Sequence, residues 1–146
     1  MSRVADILAS KGSDVETIER SSTVFEAIRK MVDQNVGSLV VMDGDAIAGI
    51  FTERDYLRRI ALQGRTSRET KVADAMTERL IVVETTRELE ECLSIMTSQR
   101  IRHLPVIEGS RLAGIVSIGD IVKFLSKERE AEIRYLTDYI SNKYPG

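Results

Sequence analysis

The chain states one motif twice. Asp43-Gly44-Asp45-Ala46-Ile47-Ala48-Gly49-Ile50-Phe51-Thr52-Glu53-Arg54-Asp55 is followed later by Glu108-Gly109-Ser110-Arg111-Leu112-Ala113-Gly114-Ile115-Val116-Ser117-Ile118-Gly119-Asp120. Both stretches close on Gly-apolar-x-Thr/Ser-x-x-Asp, with a constant offset of 65 positions (114−49, 117−52, 120−55). The register extends upstream, where Glu19 matches Glu84, Glu26 matches Glu91, Met31 matches Met96, Gln34 matches Gln99, Leu39 matches Leu104 and Val41 matches Val106. Duplication of a unit this size predicts two copies of one supersecondary structure packed about a pseudo-twofold axis. Two copies also supply two equivalent clefts, which points to ligand binding before catalysis.

Length agrees with this. The 146 residues suit one compact domain or two fused halves. Each half has about 45–50 residues, near the lower limit for an unaided core, so the halves are expected to bury their faces against each other. A net charge of −2 does not suit a nucleic-acid or anionic-membrane surface. No apolar run approaches the length of a membrane span, and Met1-Ser2-Arg3 leads straight into Val4-Ala5-Asp6-Ile7-Leu8 rather than into a secretory signal. Cys92 stands alone, which excludes an internal disulfide and suits a reducing compartment; a cytoplasmic location is expected.

Periodicity gives the elements. Val4, Ile7 and Leu8 have helical spacing, and Val15 to Ile18 alternates as a strand. Thr23 and Glu26 form a capping-box pattern ahead of the helical face Val24, Ala27, Ile28, Met31 and Val32. Leu39–Met42 and Ile47–Phe51 read as strands joined by an Asp43-Gly44-Asp45 hairpin, with a helix from Glu53 to about Leu62. The second copy predicts a strand at Ile81–Val83, a helix from Leu89 to about Gln99, strands at Leu104–Ile107 and Leu112–Val116, and a helix over Ile118–Leu125. Polar residues from Gln63 to Lys71 link the halves. Val72-Ala73-Asp74-Ala75-Met76 echoes Val4 to Leu8, but at an offset of 68, three residues out of step with the rest. Beyond the second copy, Ile133, Leu136, Tyr139 and Ile140 form a further helical stripe, either packed on its own domain or meeting a second copy of the chain.

Each repeated motif carries a strand into a helix start. Unpaired N–H groups and a partial positive charge there favour phosphate. A hydroxyl such as that of Thr52 or Ser117 can donate to a phosphate or ribose oxygen, and a carboxylate such as Asp55 or Asp120 can accept from both hydroxyls of a ribose diol. The same residues also satisfy a capping box, so a purely structural reading stands beside the ligand reading.

Taken together, Ser22-Thr23-Val24-Phe25-Glu26-Ala27, the run from Gly44 to Asp55, Arg102-His103-Leu104-Pro105-Val106 and the run from Ala113 to Asp120 resemble a tandem pair of cystathionine-β-synthase (CBS) domains, a Bateman module. The resemblance runs from about Val4 to Leu125. It implies an α/β (α+β) fold of two pseudo-twofold-related β-α-β-β-α repeats, modules that pair into homodimers, and adenine ligands such as AMP, ADP, ATP, NAD or S-adenosylmethionine. On this resemblance Asp55 and Asp120 would hold ribose, Thr52 and Ser117 would lie near ribose and phosphate, and Arg102 and His103 would face phosphate. The first repeat departs from that pattern, having Gly37 and Ser38 where the second has Arg102 and His103; Arg54 beside Asp55 is the candidate replacement charge. The resemblance also implies that Glu16 and Val36-Gly37 line the Asp120 cleft and that Ile81 and Ile101 line the Asp55 cleft.

The chain is thus expected to divide into a first repeat with its lead-in helix at 1–65, a second at 66–128 and a C-terminal helix at 129–146. The function expected is a stand-alone regulatory module that senses an adenine nucleotide and passes the signal to an effector protein. A ligand-free interaction protein is the alternative. A nucleotide-metabolising enzyme is disfavoured, because no placed nucleophile, Ser–His pair or phosphate-cradling glycine-rich loop is present. Cys92, at the position of Ala27 on an apolar face, is expected in the core, as are Met31 and Met96.

Overall fold

The computed structural model describes residues 1–140, with side chains through Asp138. It contains two three-stranded sheets of one design. In the first, β1 (Thr17–Glu19) lies parallel to β2 (Ser38–Asp43), which pairs antiparallel with β3 (Ala46–Thr52). In the second, β4 (Val83–Glu84) lies parallel to β5 (His103–Glu108), which pairs antiparallel with β6 (Arg111–Ser117). The registers superpose at the same offset: Ile18 faces Val41 as Val83 faces Val106, and Val41 faces Gly49 as Val106 faces Gly114. The two hairpins turn at Gly44 and Gly109, with φ of +64° and +65°, a conformation that strains any residue carrying a Cβ.

The helices are α1 (Val4–Lys11), α2 (Val24–Gln34), α3 (Glu53–Tyr56), α4 (Leu89–Gln99) and α5 (Ile118–Ile140). Thr23 Oγ1 accepts the Glu26 N–H at 3.2 Å, the first half of the expected capping box. Two cores result. Val24, Ala27, Met31, Leu39, Val41, Phe51 and Ile60 build the first, and Val83, Leu89, Cys92, Met96, Leu104, Val106, Val116 and Ile121 the second. Cys92 and both methionines are buried, as the helical spacing predicts.

The lead-in segments cross over. Val4 and Ile7 of α1 are buried in the second core, whereas Val72, Ala75 and Met76 are buried in the first. Each repeat therefore completes its core with chain that precedes the other repeat, which ties the halves together.

Four local expectations change. The predicted helix from Glu53 to Leu62 is only four residues of α-helix, continued by a wider π turn over Leu57–Ala61, in which the Leu62 N–H donates to the Leu57 carbonyl at 3.0 Å. The predicted strand Ile81–Val83 is reduced to Val83–Glu84. In the first sheet the Val40 N–H donates to the Glu16 carbonyl at 3.1 Å, but its counterpart at offset 65 is Pro105, which has no N–H to give to Ile81. The second lead-in forms a single 3₁₀ turn, Val72–Asp74, rather than a copy of α1. Val4 precedes Ile18 by 14 residues, but Val72 precedes the equivalent Val83 by 11, so the chain lacks the length for the same helix and return (14−11 = 3). Finally, the last helix does not stop near Leu125. It continues without a break, and Ile133 (57%) and Leu136 (51%) stay exposed. Tyr139 and Ile140, the remaining members of that stripe, have side chains outside the described residues.

Candidate functional site

The two strand–helix joints are built alike. Thr52 N–H donates to Asp55 Oδ2 at 3.0 Å and Asp55 N–H to Thr52 Oγ1 at 3.2 Å. Ser117 N–H donates to Asp120 Oδ2 at 2.9 Å and Asp120 N–H to Ser117 Oγ at 3.0 Å. Both pairs are reciprocal capping boxes. A cap of this kind occupies one carboxylate oxygen. What the other oxygen meets decides what else each aspartate can do.

Around Asp120 the surface is open. A cleft of about 270 Å³ is lined by Lys11, Asp14, Glu16, Asn35, Val36, Gly37, Ser38, His103, Ile115, Ser117 and Asp120. Seven of the thirteen predicted residues, Glu16, Val36, Gly37, Ser38, His103, Ser117 and Asp120, meet here, drawn from both repeats. The Asp120 side chain is 30% exposed, and Oδ1 makes no hydrogen bond among the described residues. Oδ2 accepts a second bond from Lys11 Nζ at 2.7 Å. Sequence reasoning missed Lys11, because nothing in Leu8-Ala9-Ser10-Lys11 hints that α1 packs on the second repeat and carries its last residue to Asp120.

Around Asp55 the surface is closed. The extended chain after the 3₁₀ turn lies along the edge of β3: Ile50 N–H donates to the Thr77 carbonyl at 3.0 Å and Thr77 N–H to the Ile50 carbonyl at 2.9 Å. This brings Thr77 Oγ1 within 2.9 Å of Asp55 Oδ1, where it donates. Asp55 is left 7% exposed, with both oxygens bonded. Arg59, carried by the π turn, donates to the Met76 carbonyl and holds the closing segment down. Gly49 makes the approach possible: a Cβ there would stand 2.5 Å from the Thr77 carbonyl oxygen. At the equivalent Gly114 a Cβ would meet the Leu8 side chain instead.

The other predicted residues lie apart from the open cleft. Arg54 and Arg102 are exposed and are not among its lining residues. Ile81 and Ile101 are partly buried against the second core. Beside the Asp120 cleft lies a wider, apolar groove of about 510 Å³, walled by Ile28, Met31, Val32, Tyr56 and Leu57. It shares Asn35, Val36 and Gly37 with the cleft but offers Glu53 as its one charged side chain, so it has little to hold a charged ligand.

Electrostatics favour Asp120 as an acceptor. Burial pushes its carboxyl up, but the hydrogen bonds from Lys11 and Ser117, with the Lys11 charge, outweigh that and hold it below the ordinary carboxylate value. Burial pushes the His103 imidazole below its ordinary value, more than the Asp120 and Glu53 charges raise it. At neutral pH His103 is therefore an uncharged hydrogen-bonding group and Lys11 is the cation of the cleft.

Comparison with known proteins gives a consistent picture. The family model described as the CBS domain matches residues 4–62 and 72–127. The chain is 41% identical to the "CBS domain-containing protein CBSX3, mitochondrial" of Arabidopsis thaliana, across 97% of this chain and 73% of that protein. The structure of a CBS-domain-containing protein from Agrobacterium tumefaciens superposes with a TM-score of 0.80 at 40% identity, covering 84% of this chain and 98% of that one. A more distant likeness, at 22% identity and a TM-score of 0.74, is to a CBS domain pair solved with 5′-methylthioadenosine and S-adenosyl-L-methionine, covering 88% of this chain and 98% of that one. No helix among the described residues is long and apolar enough to cross a membrane.

Proposed function

The chain belongs to the CBS-domain family, and we propose that it is a regulatory module that takes an adenine nucleotide in the Asp120 cleft alone. The observation that carries this reading is the contrast in second oxygens: no hydrogen bond reaches Asp120 Oδ1 among the described residues and Asp120 lines a cleft, whereas Asp55 Oδ1 is taken by Thr77. A ribose diol that donates to Asp120 would form charge-assisted hydrogen bonds, each contributing roughly 1.5–3 kcal/mol. Ser117 and the N-terminal turn of α5 stand beside it for an anionic group. Val36, Gly37 and Ile115 offer backbone and apolar surface for the base. A likeness in fold to a CBS pair that holds adenosine derivatives supports the capacity of such a cleft, not the identity of the ligand.

The module works as a homodimer in this reading. Val32 (72%) and Leu57 (56%) are exposed at the apolar groove of the first repeat, and Val122, the offset-65 counterpart of Leu57, is 52% exposed in the second. Two like faces related by the internal pseudo-symmetry suit isologous pairing with a second copy. The exposed Ile133 and Leu136 of α5 belong to a dimer contact in this reading, rather than to a self-packed helix. Occupancy of the cleft, which joins residues of both repeats, would then be read by an effector as a change in stiffness or geometry, limited by the ligand's differential affinity for the two states.

A structural reading has one observation in its favour: the Asp55 box is a completed cap, buried and with both carboxylate oxygens bonded. Extended to Asp120, it makes the chain a ligand-free interaction protein. Thermal unfolding against AMP, ADP, ATP, NAD, S-adenosylmethionine and GMP separates the two. A ligand at 100 times its Kd adds about 2.7 kcal/mol and raises the midpoint by several degrees. A rise with adenine ligands and none with GMP is expected; no rise with any at millimolar concentration refutes the nucleotide reading.

A further inference from the structure

We propose that Lys11 is the residue by which the Asp120 cleft reads the phosphate of its ligand, pairing with the carboxylate as seen here and with a 5′-phosphate once a ribose diol donates to Asp120. This rests on the nucleotide reading of the cleft and adds to it a determinant of specificity. Lys11 closes α1, whose Val4 and Ile7 are buried in the second core and whose Leu8 lies against Gly114. The ammonium is therefore delivered by an anchored helix and not by a loose loop. Directly after it, Gly12 takes φ of +97°, which ends the helix and turns the chain toward Asp14 and Glu16 on the same cleft.

The charges lining the cleft make Lys11 decisive. Asp14, Glu16 and Asp120 are carboxylates, and Lys11 is the one lysine or arginine among the lining residues. His103 is held neutral by burial and can give a hydrogen bond but little charge. Without Lys11 every charged side chain lining the cleft would be a carboxylate, leaving only Ser117, neutral His103 and the start of α5 to receive a phosphate. An ammonium has three N–H donors, and Asp120 Oδ2 takes one, at 2.7 Å. Lys11 can thus keep its bond to Asp120, which stays ionised to accept the diol, and donate to a phosphate oxygen as well. The ion pair costs little to rearrange, since both side chains are about one-third exposed (33% and 30%).

Isothermal titration of the full chain with AMP and with adenosine, in wild type, Lys11→Met and Lys11→Arg, tests this. Wild type is expected to favour AMP by about ten-fold or more. Lys11→Met is expected to lower AMP affinity far more than adenosine affinity and so remove most of that preference, and Lys11→Arg to restore much of it. A preference that survives Lys11→Met overturns the proposal and assigns the phosphate elsewhere, with exposed Arg102 the next candidate. An equal loss for both ligands makes Lys11 a support for Asp120 only, and an equal gain makes it only a plug; either result overturns phosphate reading. A wild-type protein that binds neither ligand defeats the nucleotide reading itself, and the proposal with it.

Discussion

In the first repeat the motif's aspartate is buried and accepts from Thr52 and Thr77; in the second, its counterpart is half-buried, accepts from Ser117 and Lys11, and lines an open cleft. Nothing inside the two motifs causes this, since strand, turn, hydroxyl and carboxylate are the same in both. The difference comes from the segments packed against them. A lead-in long enough to form α1 covers the second repeat with a helix and leaves its carboxylate in reach of solvent. A lead-in three residues shorter runs extended along β3 and seals the first. Duplication preserved the parts, and a small length difference outside them closed the surface at one copy and left it open at the other.

Substitution of the two aspartates should give opposite signatures. Asp55→Ala removes a buried acceptor of bonds from both Thr52 and Thr77 and is expected to cost roughly 2–3 kcal/mol of unfolding free energy, with no change in nucleotide binding per folded chain. Asp120→Ala should cost about 1 kcal/mol of stability, as a lost cap, and lower nucleotide affinity by roughly ten- to a hundred-fold. Denaturant titration and calorimetry on both variants check the pair. If both behave as stability variants alone, the repeats do not differ in role.

The closing segment can be disturbed directly. Gly49→Ala drives a Cβ against backbone at 2.5 Å and should destabilise by about 1–3 kcal/mol. Gly114→Ala meets the end of the Leu8 side chain, which can turn aside, so its cost should be clearly smaller. Equal costs, measured by thermal unfolding, would mean that the segment around Thr77 is not held as tightly as the bonds from Ile50 and Arg59 require.

A pH series reads the open cleft. The His103 imidazole lies below its unfolded value, so the unfolded chain takes up a proton first, and stability should fall as the pH drops below about 6.5. The Asp120 carboxyl also lies below its unfolded value; its contribution is present above that value and is lost as the pH falls through the lower folded one. His103→Gln should flatten the first part of the profile, just below about pH 6.5, and leave the acid limb in place. The smallest effect is expected at the helix ends that flank the two second strands. Asn35 and Arg100 are equivalent C-caps with φ of +54° and +56°, and asparagine tolerates that conformation better, so Arg100→Asn should add up to about 0.5–1 kcal/mol.

Much of this was legible in the sequence because it is local and repeated. The offset of 65 located both hairpins, both long helices of the β-α-β units and both capping boxes, since period, turn glycine and hydroxyl-to-carboxylate spacing all lie within a few residues. Seven predicted residues gather in one cleft, but Glu16, Val36 and Gly37 were placed there by the family resemblance and not by local spacing. What escaped depends on contacts between distant segments. The exchange of lead-ins, which brings Lys11 to Asp120 and Thr77 to Asp55 across 109 and 22 positions, leaves no periodic trace. The π turn at Leu57–Ala61 has no glycine or proline to announce it. The shortening of β4 was readable in principle from Pro105, but only once β5 was known to be the central strand of its sheet.

The most direct test of the asymmetry is the stoichiometry of AMP binding by isothermal titration at near-neutral pH. One AMP per chain in wild type, an unchanged one in Asp55→Ala corrected for the folded fraction, and none detectable in Asp120→Ala is the predicted result. Two molecules per chain, or binding that survives Asp120→Ala and disappears with Asp55→Ala, would contradict it and place the ligand in the repeat that Thr77 closes.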